Sequence, residues 1–215
     1  MTEQIKHHLT DSLLMAYSAG SLPEAFNLTI AAHVSMCDEC RARLGAFDSL
    51  GGALVEGSES VEMSAGSLEA VMERLKAPER PAEKPIYSNG IVPAPLRDYI
   101  GGDLDAVRWK SIGMGVKQAI LPTSRDATAR LLFIPAGAAV PDHGHRGTEL
   151  TLVLKGSFAD EVDHFGPGDI EVANEDLNHT PVADIGEDCI CLAATDAPLK
   201  FKGLIPRLAQ PFLRI

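Results

Sequence analysis

The spacing of apolar residues changes part-way along the chain. Between residues 10 and 77 they recur at three- and four-residue steps, the period of an amphipathic helix. Thr10 or Asp11 can cap a first helix that carries Leu13, Leu14 and Tyr17 and stops at Gly20. Ser21 and Pro23 open a second, with Pro near the first turn, where its missing N–H costs nothing. Along one face of it run Phe26, Ile30, His33 and Cys37. A third, from about Asp38, carries Leu44, Phe47, Leu50 and Leu54, and the Gly51-Gly52 pair could bend or end it. A fourth starts near Ser64 or Ser67 and places Leu68, Val71, Met72 and Leu75 at i, i+3, i+4 and i+7. That stripe suits either a fourth core helix or a helix that binds a partner.

Pro78, Pro81, Pro85, Pro93 and Pro95 then punctuate a stretch that favours neither helix nor central strand, which makes 78–95 a linker. From about Leu96 the apolar residues gather in short runs separated by Gly and Pro. Examples are Gln118–Leu121, Ala129–Ile134, Leu150–Leu154, Asp169–Val172 and Cys189–Ala193. Many short strands at this spacing predict a β-sandwich or barrel. The expected architecture is therefore α+β in two domains: a helical unit over 1–77 and a β-barrel over 96–215.

Charge narrows the function. The formal net charge is -11, and residues 1–80 and 81–215 are both acidic. This argues against direct nucleic-acid binding, which depends on neutralising phosphates, and suits basic partner proteins. The N-terminus, Met1 to His8, is polar, and no run of 18 apolar residues occurs, so neither a signal peptide nor a membrane span is expected. A cytoplasmic location follows as an expectation, and its reducing conditions would keep the four cysteines as thiols.

Two groups of potential metal ligands stand out. On a helix, His33 and Cys37 are i and i+4 and lie one above the other, and Cys40 follows just past a break or turn. A structural zinc site needs four N/S ligands in a tetrahedron, and His8 is the best-placed fourth, with His7 the alternative. Such an ion could staple a bundle too small to be secure on its own core. The second group is His143-x-His145-x-x-x-Glu149 with His179 downstream. His143 and His145 alternate on an extended strand and point the same way, and Glu149 opens the next strand after a tight turn. Three imidazoles and a carboxylate suit Zn, Mn, Fe or Ni. Cys189 and Cys191 share one side of a strand, either as a redox pair or as core filling.

Both groups carry a resemblance. The His33/Cys37/Cys40 pattern with its upstream His resembles the zinc-binding anti-sigma domain, in which three helices form a zinc-stapled bundle and a fourth clamps a sigma factor. The stripe Leu68, Val71, Met72 and Leu75 matches the clamping helix by position. Gly137 to Gly156 matches the first cupin motif, G-x5-H-x-H-x3-E-x6-G, at each fixed position. Gly166-Pro167-Gly168-Asp169 and His179-Thr180-Pro181 resemble the second cupin motif, but its usual first Gly is missing and the gap to His179 is longer than in the shortest family pattern. Joined by a Pro-rich linker, the two units resemble ChrR-type anti-sigma factors. The resemblance extends over nearly the whole chain, including the tail Pro211–Ile215. It implies a non-enzymatic regulator that sequesters an extracytoplasmic-function sigma factor and releases it when singlet oxygen or organic hydroperoxides appear, with zinc at both sites. The rival reading is a cupin metalloenzyme, a dioxygenase or isomerase, with an accessory zinc domain.

Overall fold

A computed structural model describes residues 4–76, 90–201, 203 and 210. Pro78, Pro81 and Pro85 of the linker, and the tail Pro211–Ile215, lie outside the described residues. The fold is α+β: helices at the N-terminal end and a β-barrel of the cupin type after them. Among the described residues no helix is long and apolar enough to cross a membrane.

Helix α1 spans Asp11–Ser18 and is capped by Thr10, whose hydroxyl accepts from the Leu13 N–H. Helix α2 spans Glu24–Met36 and follows Pro23. Cys37 then adopts an extended conformation, ends α2 and caps α3, Asp38–Glu56, its sulfur accepting from the Cys40 N–H. Arg41 reaches back to donate to the Val34 carbonyl, one of the last carbonyls that α2 leaves open. Gly51 and Gly52 do not end α3, which runs on to Glu56 and is capped by Gly57. Helix α4, Ser67–Lys76, buries none of its residues, so the stripe Leu68, Val71, Met72 and Leu75 faces solvent instead of a core.

The sequence pattern had not suggested α5, Ala94–Ile100. Pro93 and Pro95 sit at its start, where proline is compatible with a helix because the first N–H groups have no partner inside it. A short 3-10 turn, Leu104–Ala106, leads into the strands. The main sheet contains six strands in the order β1-β2-β3-β11-β5-β8, all antiparallel. These are β1 Lys110–Gly113, β2 Val116–Ile120, β3 Thr128–Ile134, β5 Glu149–Lys155, β8 Ile170–Ala173 and β11 Cys189–Thr195. Two three-stranded sheets complete the barrel: β10-β6-β7 and β12-β4-β9. Their strands are β4 His143–Gly144, β6 Phe158–Ala159, β7 His164–Phe165, β9 Asn178–His179, β10 Val182–Ala183 and β12 Lys200–Phe201. Gly156 turns the chain after β5 with φ +66°, and a Cβ there would come within 2.5 Å of the Asp188 carbonyl oxygen.

Helix α2 packs against α1, α3 and α5 and also against β3, β5 and β11. Its buried residues, Ala25, Phe26, Leu28, Thr29, Ile30, Ala32, His33 and Val34, therefore occupy more than one face. One hydrophobic cluster runs from Leu14 and Ile30 to Leu131, Leu152 and Leu192 of the sheet. Two polar fasteners frame this contact. Glu24 accepts from the Tyr99 hydroxyl (2.7 Å) and the Ser124 N–H (2.6 Å). Asp169 accepts from the Lys6 and His7 N–H groups (2.6 and 2.9 Å).

Because Ile30 is fully buried in this shared cluster, Ile30→Ala is expected to cost about 2–5 kcal/mol. Helical and sheet signals should melt in a single transition in both the parent and the variant. Two resolved transitions in calorimetry would show that the cluster does not unite the helices and the barrel.

Candidate metal centres and their setting

The break at Cys37 positions the first group. Cys37 lies at the junction of α2 and α3, Cys40 in the first turn of α3, His33 one turn back on α2, and His8 on the segment leading to α1. One ligand atom from each of His8, His33, Cys37 and Cys40 lies within 4.8 Å of the other three. His8 Nδ1 is 3.3 Å from the Cys37 sulfur and 3.7 Å from the Cys40 sulfur. Nitrogen and sulfur ligands sharing a tetrahedral ion stand about 3.5 Å apart. The other His8 nitrogen, Nε2, is 3.3 Å from Glu39. His33 is fully buried, and its Nδ1 lies 3.0 Å from the Gly168 carbonyl, so that nitrogen carries the proton and donates it. Its Nε2 is buried and has no hydrogen-bond partner among the described residues. An orphan of that kind costs about 1–3 kcal/mol unless something satisfies it, and a metal ion would. His7, the alternative ligand, instead faces Asp163 and Asp169 and packs on Phe165.

The second group forms at one end of the barrel. His143 on β4 pairs across the sheet with His179 on β9, and His145 follows β4. His143, His145 and His179 bring nitrogens within 4.8 Å of one another. The Nε2 atoms of His143 and His145 are each 3.2 Å from His179 Nε2. His143 Nδ1 donates to the Pro141 carbonyl (2.9 Å) and His179 Nδ1 donates to Asp160 (2.7 Å). Their Nε2 atoms thus confront each other as lone pairs, an arrangement that needs a proton or a metal ion between them. Glu149 is buried at the edge of this group, with Oε2 3.8 Å from His145 Nδ1 and Oε1 accepting from the Thr151 hydroxyl. His145 Nδ1 is buried and has no hydrogen-bond partner among the described residues. The residues present at both groups fit a metal ion.

Two carboxylates that no sequence motif marks lie behind His179. Asp160 and Glu171 converge on its Nδ1, Glu171 at 3.1 Å, and the three form a further possible metal-binding cluster. Glu171 was detectable in principle, as the one charged residue in the apolar strand Ile170–Ala173. Asp160 arrives through a turn after β6 that has no motif.

A cavity of about 290 Å³ opens beside the group, reaching His143, Glu149 and His179, with Leu132, Phe158 and Phe201 among its apolar walls. Cys191 also borders it, with its sulfur 3.4 Å from that of Cys189, and both cysteines are buried. The hydrogen bond with Cys189, together with burial, raises the Cys191 thiol well above the usual thiol range. Arg146 is exposed, His164 is a half-exposed partner of Asp184, and Trp109 packs edge-on against Phe133.

A family model described as the ChrR cupin-like domain matches residues 98–198. The chain is 59% identical over 214 residues to the Anti-sigma-E factor ChrR of Cereibacter sphaeroides, covering 98% of this chain and 99% of that protein. The chain belongs to the ChrR family of anti-sigma factors. Among solved structures, the crystal structure of Rhodobacter sphaeroides SigE in complex with the anti-sigma ChrR contains a chain 58% identical to this one. That match has a TM-score of 0.81 and covers 90% of this chain and 100% of that chain. A KdgF structure from Halomonas is 22% identical, with a TM-score of 0.40, over 44% of this chain and 90% of that one.

The electrostatics of the metal-free chain set its pH response. Burial lowers His33 to about 4 and also lowers His143 and His145. Burial opposes the charge on His179 too, but Glu171, Asp160 and Glu149 outweigh it and raise His179 to about 9. Burial pushes Cys40 up to about 11 and Glu171 up to about 7. Below about pH 6.5 the unfolded chain binds protons that the three lowered histidines refuse when folded, so stability falls with pH toward 4; the raised Glu171 opposes this. Above about 6.5 the folded state holds the His179 proton that the unfolded chain loses, and above about 9 the same holds for Cys40, so stability falls again. The metal-stripped chain should therefore be most stable near pH 6.5. A melting temperature that rises steadily from pH 5 to pH 9 would contradict this assignment.

Proposed function

We propose that the chain sequesters an extracytoplasmic-function sigma factor through its N-terminal helices and releases it under oxidative stress sensed at the cupin. The observation that carries this reading is the identity to the Anti-sigma-E factor ChrR across essentially the whole of both chains. A related chain, captured in complex with SigE, has the same fold. ChrR membership favours a regulatory role over the cupin metalloenzyme. A cytoplasmic location follows from the partner, since a sigma factor works on RNA polymerase inside the cell.

The exposed stripe of α4 supports the division of labour. Leu68 and Leu75 are 68% and 74% exposed, and Val71 and Met72 are close to half exposed, on a helix with no buried residue. An apolar row of this kind on a soluble helix suits insertion into a groove on a partner. The helical group pairs two thiols with two imidazoles, the ligand set that zinc takes in structural sites, with His8, His33, Cys37 and Cys40 as ligands. In the barrel, His143, His145 and His179 with Glu149 would complete a second site, also for zinc. When bound there, the ion would supply positive charge to the imidazole cluster and bring any oxidant entering the cavity against the ligand set. Oxidation of the imidazoles would disturb the cluster, and the Cys189/Cys191 pair is an alternative target of oxidation.

Purified full-length chain, mixed with the extracytoplasmic-function sigma factor of its own bacterium, should form a one-to-one complex. Val71→Asp combined with Leu75→Asp should weaken it at least about tenfold in calorimetric titration while leaving metal content unchanged. No complex with folded, metal-loaded chain would overturn the sequestering role. Full affinity in the double variant would remove α4 from the interface.

A further inference from the structure

We propose that the cupin segment from Gly166 to Glu171 ties the two metal sites together, so that the integrity of the barrel site governs how firmly the helical site holds its ion. This inference rests on the reading that both groups bind metal, and goes beyond it by naming the connection.

At one end of the segment, the Gly168 carbonyl receives the Nδ1 proton of His33 and directs the free Nε2 at Cys37, Cys40 and His8. The next residue, Asp169, accepts the Lys6 and His7 N–H groups, and the Ile170 N–H donates to the His7 carbonyl (3.3 Å). These bonds fix the backbone immediately before His8. Two of the four ligand residues of the helical site are therefore positioned by three consecutive cupin residues. At the other end, Glu171 lies 3.1 Å from His179 Nδ1, beside Asp160. Three peptide units separate the carbonyl that orients His33 from the carboxylate that faces His179.

The segment is built to hold this shape. The second Asp169 carboxylate oxygen accepts from the Gly166 N–H, closing the turn on itself. The Gly168 N–H and the Asp169 carbonyl pair with Val153 of β5 (2.8 and 3.0 Å), which anchors the turn in the main sheet. Gly168 has φ +91°, and a Cβ there would come within 2.6 Å of the Ile5 side chain, so the turn also seats the N-terminal segment. A shift of β8 when His179 changes partner is thus transmitted through a braced turn to His33. Groups that orient metal-bound histidines commonly alter metal affinity by about 10–100-fold when lost.

The test uses full-length chain loaded with zinc. Excess chelator is added, and alkylation of Cys37 and Cys40 is followed peptide by peptide by mass spectrometry, since bound zinc protects these thiols. His143→Ala removes a barrel ligand that lies on β4, outside the segment, and Glu149→Ala serves if that variant fails to fold. Two metal ions per parent chain and one per His143→Ala chain are expected, with Cys37 and Cys40 exposed about tenfold faster in the variant. In an Asp169→Ala background, or with Gly168→Ala as a second way of breaking the turn, exposure should already be fast and His143→Ala should add nothing. Glu24→Gln weakens the other fastener between α2 and the barrel, and there the tenfold effect of His143→Ala should persist; this separates the segment from general loosening of the interface. Equal exposure rates in parent and His143→Ala, or an undiminished effect with Asp169→Ala, would overturn the connection. Fewer than two metal ions on the parent chain would instead overturn the two-site reading, and the connection with it.

Discussion

His33 sits fully buried where α2 passes between the other helices and the barrel, and such a ring is tolerable only if both of its nitrogens are provided for. One nitrogen is satisfied by the Gly168 carbonyl, which belongs to the barrel. The other faces two thiols and a second imidazole. The helical metal group is therefore not a property of the helices alone. Its geometry borrows a hydrogen bond from a cupin turn 135 positions later in the chain. Helix α2 is apolar on more than one face because it packs on both helices and sheet, and the N-terminal segment meets the start of β8 just before His8.

The arrangement gives physical content to a regulator with a helical end and a barrel end. The exposed row on α4 lies away from any core, available to a partner, while α2 and the segment around His8 are held in the shared core. The barrel offers a cavity that leads to an imidazole cluster backed by two carboxylates. The cavity borders His143, Glu149 and His179, and His179 also meets Glu171 of the strand next to the turn that holds His33. A small displacement there meets close-packed surroundings, so it shifts an equilibrium between arrangements and is not simply absorbed.

The ligand candidates were legible because their spacing is local. His33 and Cys37 one helical turn apart, and His143 and His145 alternating on a strand, announce shared faces without knowledge of the fold. The main strands and the first three helices followed from periodicity for the same reason. What local pattern could not reveal depends on register between distant elements. Asp160 and Glu171 meet His179 only because β8 and the turn after β6 converge on β9. Helix α5 was hidden because Pro93 and Pro95 read as breakers, whereas at a first turn they are compatible with helix. The fate of the α4 stripe was open because an apolar row looks the same whether it faces a core or a partner. The docking of α2 on the sheet was masked by the small size of Ala25 and Ala32, which carry little hydrophobic signal.

The most direct test of a barrel that controls partner release is the dissociation rate of the preformed complex between full-length chain and its sigma factor, with and without singlet oxygen. The parent chain should release its partner about tenfold faster or more when oxidant is present, and the His143→Ala chain should release at one rate whether or not oxidant is added. Equal acceleration by oxidant in both chains would contradict control through the barrel site.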